Sequence, residues 1–260
     1  MGKTLIETIA VAFGMFSAVP LPQPEWNGKN MRFALAAFPL VGLACGALFG
    51  AWGWLCGRLA LPVLAQAAGL TLIPVWVTGG IHLDGYADTC DALASCAAPV
   101  KKQEILKDPH CGAFAVIRLC SYFLAYAALC GVLRPTPRAL GAMAAAFVLE
   151  RALSGWCVAA LPLAKNTGLA HTFATAADKA AVRRVLAVLA AALIAVLVAC
   201  AGAAGTAMAA AALATLWRYR HMAAVQFGGI SGDLAGWFLQ TAELWMLAAL
   251  VLCQWLEVGA

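Results

Sequence analysis

Long uncharged apolar stretches alternate with short polar segments along this chain. Residues 33–57 and 59–80 carry no charge, and each has the roughly 20 residues a helix needs to cross a bilayer core of about 30 Å. Residues 113–133, 139–163 and 235–256 are as long, interrupted only by Arg118, by Glu150 with Arg151, and by Glu243. Residues 185–217 are also uncharged, but as one helix they would reach about 50 Å and overshoot a bilayer. Two spans reversing around residues 202–205 fit better, because glycine permits a tight turn. Residues 4–21 are broken by Glu7 and closed by Pro20, Pro22 and Pro24, with no small-residue cleavage site following; this pattern predicts an interfacial or re-entrant segment. The expectation is all-α: a polytopic transmembrane helical bundle of about seven spans plus that N-terminal segment. Residues 1–260 read as one integral-membrane domain, with neither a sequence repeat nor a separate soluble domain.

Composition strengthens this reading. With 64% hydrophobic residues, 11% charged residues and a mean hydropathy of +0.87, the chain cannot assemble a water-facing surface of ordinary polarity. The ten cysteines are scattered without a C-x-x-C pair and read as small apolar fillers. Of the 17 lysines and arginines, twelve fall on the face shared by the N-terminus, and only Arg58, Arg134 and Arg138 fall on the other. The positive-inside rule then makes the first face cytoplasmic, in a bacterial inner membrane, and puts the C-terminus in the periplasm. Segments 22–32, 79–112, 163–184 and 218–234 all lie on that face, as expected if they build a single site. A channel would decorate both mouths.

One of these segments is acidic. The string Gly79-Gly80-Ile81-His82-Leu83-Asp84-Gly85-Tyr86-Ala87-Asp88-Thr89-Cys90-Asp91 directly follows an uncharged span. In a helix, Asp84, Asp88 and Asp91 recur at i, i+4 and i+7 and share a face. Carboxylates so arranged repel, and all-oxygen ligation suits Mg²⁺, which retains waters and takes further ligands from a substrate phosphate. His82 reads first as a hydrogen-bonding prop, then as a general base, and last as a metal ligand. In Lys107-Asp108-Pro109-His110-Cys111-Gly112, Lys107 offers charge to a phosphate, and Asp108 is a further ligand or a helix cap. In Gly228-Gly229-Ile230-Ser231-Gly232-Asp233, glycines let backbone N–H groups approach an anion at a helix start. Ser231 donates there, and Asp233 binds metal or caps. Inside the spans, Arg118, Glu150, Arg151 and Glu243 are expected to face protein or a wet cavity, with acid and base paired.

Together these strings resemble the cobalamin synthase family. The family signature Gly-Gly-x-His-x-Asp-Gly-x-Ala-Asp-x-x-Asp is matched at every fixed position from Gly79 to Asp91, and Phe38-Pro39-Leu40-Val41-Gly42 resembles its first-span element. Lys107 to Gly112 is similar to its basic-Asp-Ser-Arg-x-Gly element and Gly228 to Asp233 to its Gly-Gly-x-Thr-Gly-Asp element. Pro109 and His110 stand where Ser and Arg are usual, Ser231 where Thr is usual, and Ala92 and Ala170 where Gly is frequent.

The resemblance implies an integral-membrane transferase that moves the adenosylcobinamide phosphate from adenosylcobinamide-GDP to α-ribazole or α-ribazole phosphate, releasing GMP. Mg²⁺ is the implied cofactor. Asp84, Asp88 and Asp91 are the expected metal ligands, completed by Asp108 or Asp233, and His82, Asp84 and Asp88 the catalytic candidates. Lys107, His110, Gly228, Gly229, Ser231 and Gly232 are the candidates for substrate binding. Lipid surrounds the protein, nucleic acid is not an expected partner, and a homo-oligomer is left open. Other readings are a CDP-alcohol phosphotransferase or prenyltransferase using aspartate-bound Mg²⁺, or a divalent-cation or corrinoid transporter. The prenyltransferase reading wants a second aspartate-rich motif. A transporter site usually lies near the bilayer midplane.

Overall fold

In the computed structural model, residues 2–257 are described, and among them ten helices follow in order: α1 (Gly2–Phe16), α2 (Ala34–Leu59), α3 (Val63–Thr78), α4 (Ile81–Ala94), α5 (Pro99–Ile105), α6 (Ala113–Val132), α7 (Pro137–Ala160), α8 (Leu169–Ala176), α9 (Lys179–Phe227) and α10 (Gly232–Leu256). The all-α, multi-pass expectation holds. Five helices are long and apolar enough to cross a membrane, or six if α3 and α4, bent by 94°, are counted as one broken span. The 15 residues of α1 reach only about 22 Å, short of a bilayer core, and its end packs on α2 through Phe16 and Phe38, whose ring centroids are 4.2 Å apart.

The long helix α9 is two antiparallel passes. Gly202 breaks it with non-helical φ 57°, ψ −128°, a conformation costly for any residue with a Cβ. Beyond the break the chain folds back so tightly that a Cβ on Gly205 would lie 1.8 Å from the Leu197 carbonyl oxygen. Leu186 meets Gly155 near the end of α7, and Arg220 lies 6.0 Å from the Trp156 ring. The turn at Gly202 sits beside Arg138 at the start of α7, which donates to the Cys200 carbonyl at 2.8 Å. With α9 divided and the broken α3–α4 pair counted as one pass, the passes number the seven expected.

Close backbone approach holds the bundle, as expected where lipid competes equally for apolar side chains. A Cβ on Gly42 would meet the Phe147 carbonyl at 2.2 Å and one on Gly46 the Ala144 Cα at 2.7 Å, so α2 and α7 touch through Gly42, Gly46 and Ala144. Trp54, Leu64, Leu124 and Val188 point outward and exposed, an apolar exterior that lipid must cover. One end is tied by Gln66, whose Nε2 donates to the Cys130 and Leu133 carbonyls at 2.8 Å each, and by mutual bonds of Gln254 with the Arg134 backbone at 3.0 Å. That end carries Arg58, Arg134 and Arg138, while the polar segments between α3 and α6, between α7 and α9, and between α9 and α10 gather at the other.

Between these ends, Arg151 and Glu150 are fully buried and paired at 2.6 Å, and Arg151 also donates to the Phe147 carbonyl at 3.0 Å. Glu243 of α10 lies close enough to feel the same guanidinium. Arg151→Met leaves both carboxylates without their cation and is expected to destabilise the protein by about 3–5 kcal/mol, read by denaturant unfolding in micelles. Replacing Glu150 and Glu243 by Gln in the same chain should recover part of that loss.

Candidate active site

The acidic segment is helical, as its spacing predicts. Gly79 and Gly80 both adopt left-handed backbone, φ 65° and 79°. That pair permits the 94° break that turns α4 away from the axis of α3. Along α4, Asp84 is exposed and Asp88 and Asp91 are half-buried, as befits three positions on one helical face. The adjoining side of α4 is pressed against the start of α10. A Cβ on Gly85 would lie 2.8 Å from the Asp233 backbone, and one on Gly236 would lie 2.7 Å from the His82 carbonyl oxygen. This crossing brings Asp233 up to the α4 acids. Asp88 feels the charges of Asp84, Asp233 and Asp91, and together with burial, the larger cause, they push its carboxyl up to about 6.

Asp233 is held by its own helix start. Ser231 caps α10, its Oγ accepting from the Leu234 N–H at 3.2 Å and donating to Asp233 Oδ2 at 3.3 Å. A short parallel bridge then clamps the connection after α7 to the glycine loop: the Ala164 N–H donates to the Ile230 carbonyl at 2.8 Å and the Ile230 N–H to the Pro162 carbonyl at 2.9 Å. Gly229 makes this possible, since a Cβ there would lie 2.6 Å from the Ala164 nitrogen.

Behind the clamp lies a cavity of about 600 Å³. Asp84, Asp233, Ser231, Gly232 and Lys107 border it, joined by Lys165, Thr167, Gly168 and His171. Lys165 comes close enough for Asp233 to feel its charge. Lys165 and His171 were not among the residues expected from sequence. The available signal was weak, a lysine in a short Asn-Thr-Gly loop, and only the Leu163–Ile230 bridge shows where that loop lands.

Other expected residues are placed differently. Gly228 and Gly229 line a second pocket of about 580 Å³ with Trp217, Arg220 and His221 on the far side of the bridge. Asp108 and His110 are exposed and occupied with each other, the Asp108 carboxylate accepting from the His110 backbone N–H at 3.0 Å and meeting its Nδ1 at 2.7 Å. The oxygens of Asp91 lie where a Cβ on Gly112 would stand, 2.2 Å from it, at the start of α6. His82 is buried, with its Nε2 lacking a hydrogen-bond partner among the described residues. Burial first, and then the Arg151 charge, hold its imidazole down to about 3, so it stays neutral. Among the described residues, no three carboxylate, imidazole or thiol groups converge closely enough to enclose a metal ion.

The cobalamin-5-phosphate synthase family model matches residues 8–251. The chain belongs to that family. It is 39% identical to the adenosylcobinamide-GDP ribazoletransferase of Lachnoclostridium phytofermentans over 249 residues, covering 96% of this chain and 95% of the relative. Identity is 27% to that of Clostridium perfringens strain 13, covering 93% and 96%, and 29% to that of Geobacillus sp. strain WCH70, covering 86% and 87%. No solved structure matches the chain. This family member is therefore a multi-pass membrane enzyme of cobalamin biosynthesis, a transferase, and the gathered acids and lysines lie at one end of its bundle.

The Gly236 contact makes a prediction. Gly236→Val drives a side chain into the His82 carbonyl and parts α4 from α10; it should cost about 1–3 kcal/mol as overpacking and lower turnover on the order of a hundredfold through displaced acids. Gly50→Ala, where nothing lies within 4 Å, should leave both the melting temperature and turnover unchanged.

Proposed function

We propose that this enzyme, with its acidic face in the cytoplasm of a bacterial cell and its bundle in the inner membrane, catalyses Mg²⁺-dependent transfer of the adenosylcobinamide phosphate from adenosylcobinamide-GDP to α-ribazole or α-ribazole phosphate. The observation that carries this is the gathering of Asp84, Asp88 and Asp233 within reach of one another's charge, beside a cavity edged by Lys107 and Lys165, in a chain whose relatives are named for that transfer. The excess of basic residues on the same face supports its cytoplasmic placement.

In this reading the acids suit Mg²⁺ as a partly open set, since among the described residues no three of them converge on one point. Four carboxylates influence one another around Asp88, and no cation is among the charges it feels. Mg²⁺ takes only one or two carboxylates, keeps waters and completes its shell on substrate phosphates, so a closed protein cage is not required. Asp84 and Asp88 would hold it, with Asp233 or Asp91 adjacent. When bound, it would supply neutralisation of the diphosphate charge.

The chain's own groups then do the positioning that governs phosphoryl transfer. Lys107 and Lys165 hold phosphate oxygens, and Ser231 fixes the carboxylate of Asp233. The acceptor's ribose hydroxyl oxygen forms a bond to the phosphorus on the cobinamide side, and the bond from that phosphorus to the oxygen of GMP breaks. An aspartate carboxylate takes the hydroxyl proton; buried, neutral His82 is the poorer base.

Purified protein in detergent should release GMP from adenosylcobinamide-GDP, α-ribazole and Mg²⁺; ordered protein that releases none defeats the assignment. Asp84→Asn and Asp88→Asn should abolish GMP release with melting unchanged, and wild-type rates would remove both residues from the metal site. Protonation of Asp88 competes with metal. At limiting Mg²⁺, the rate should therefore fall as pH drops through about 6 and be restored by more Mg²⁺, whereas a pH-independent Mg²⁺ requirement would exclude Asp88 as a ligand.

A further inference from the structure

The 600 Å³ cavity has two chemically different halves. Its inner wall is made mainly by Phe16, Leu35, Phe38, Val158, Phe173 and Leu239, from five helices and without a charged side chain, with buried His82 and Ser154 as the polar groups among them. The ring of Phe16 stands 4.2 Å from that of Phe38 and 5.4 Å from that of Phe173, forming an aromatic row. Its outer edge is Asp84, Asp233, Ser231, Lys107, Lys165 and His171. A ligand that fills it must be apolar and flat at one end and hydroxylated or anionic at the other.

We propose that this cavity is the acceptor site, in which the apolar wall receives the methylated bicyclic base of ribazole and the polar edge receives its ribose. The proposal rests on the transferase reading for the identity of the ligand. Pockets of about 300–1,000 Å³ enclose most of a drug-sized molecule, which suits a nucleoside, whereas the corrinoid macrocycle of the donor must stay outside. Guanine does not suit the wall either. Its ring-edge donors and acceptors outnumber the polar groups of the wall, His82 and Ser154, so most would be left unpaired against phenylalanines, and burying unpaired polar groups is costly. The benzimidazole presents mostly ring carbon and methyl groups. With the base against the Phe16–Phe38–Phe173 row, the ribose reaches the edge where Asp84 and Asp233 stand. The wall therefore sets which base is accepted: each buried methyl group contributes about fourfold in affinity, so a riboside of unmethylated benzimidazole binds on the order of tenfold more weakly.

Equilibrium dialysis of labelled α-ribazole against the detergent-solubilised full chain tests this without turnover. Wild-type protein should bind α-ribazole, and Val158→Phe, which fills the cavity, should weaken binding at least tenfold while changing adenosylcobinamide-GDP binding less than twofold. If Val158→Phe disturbs folding by gel filtration or melting, Phe16→Ala removes one ring of the wall and should weaken α-ribazole binding by a similar factor. Wild-type affinity for α-ribazole in the folded variant, loss of donor binding in place of acceptor binding, or no α-ribazole binding by wild-type protein overturns the proposal. Wild-type protein that binds α-ribazole through this wall yet releases no GMP in the full reaction supports the cavity assignment and retires the transferase reading instead.

Discussion

Everything at the active end depends on how closely α4 crosses α10. At Gly85 and Gly236 the two backbones come within the space that a single methyl group would occupy. No other pair of residue types allows that approach, since any side chain at either position would push the helices apart. The crossing carries Asp233 from the start of one helix to the carboxylates of another, and it buries His82 beneath them. The acids are neighbours because of a backbone contact that is itself free of charge.

A second constraint acts on the loops. The connection after α7 would be free to wander if it were not tied to the glycine loop by two backbone hydrogen bonds across the Leu163–Ile230 bridge. The tie does three things together. It brings Lys165 to Asp233, it closes one side of the large cavity, and it separates that cavity from the Arg220 pocket behind it. Gly228 and Gly229 thus serve the wall and the turn, while Ser231 and Asp233, only a few residues on, face the cavity.

The membrane explains why such contacts recur. Lipid offers apolar side chains as good an environment as a neighbouring helix does, so tight packing of small residues and paired polar groups must hold the bundle. Gly42 and Gly46 against α7, Gln66 on two free carbonyls and Arg151 paired with Glu150 within reach of the Glu243 charge are the forms this takes here. A rigid scaffold of this kind suits a reaction that asks mainly for positioning and charge neutralisation.

Much of this was legible in the sequence. Uncharged runs of bilayer length gave the passes, because backbone polar groups in lipid leave helices as the ready solution. The reversal at Gly202 was visible because one helix of that length could not fit. The i, i+4, i+7 aspartates declared a helical face, and the resemblance of Gly79–Asp91 named the family. Tertiary structure alone decided which of the polar residues meet. Asp108 and His110 turned to each other in an exposed loop, Gly228 and Gly229 lined a different pocket, and Lys165 with His171 joined the acids. The apolar wall of Phe16, Phe38 and Phe173 was equally hidden, since phenylalanines on three separate helices look like any other membrane residues until packing brings them together. Periodicity and spacing act within one segment and can be read from it; convergence depends on crossing angles and on backbone contacts between segments far apart in the chain, which no local pattern records.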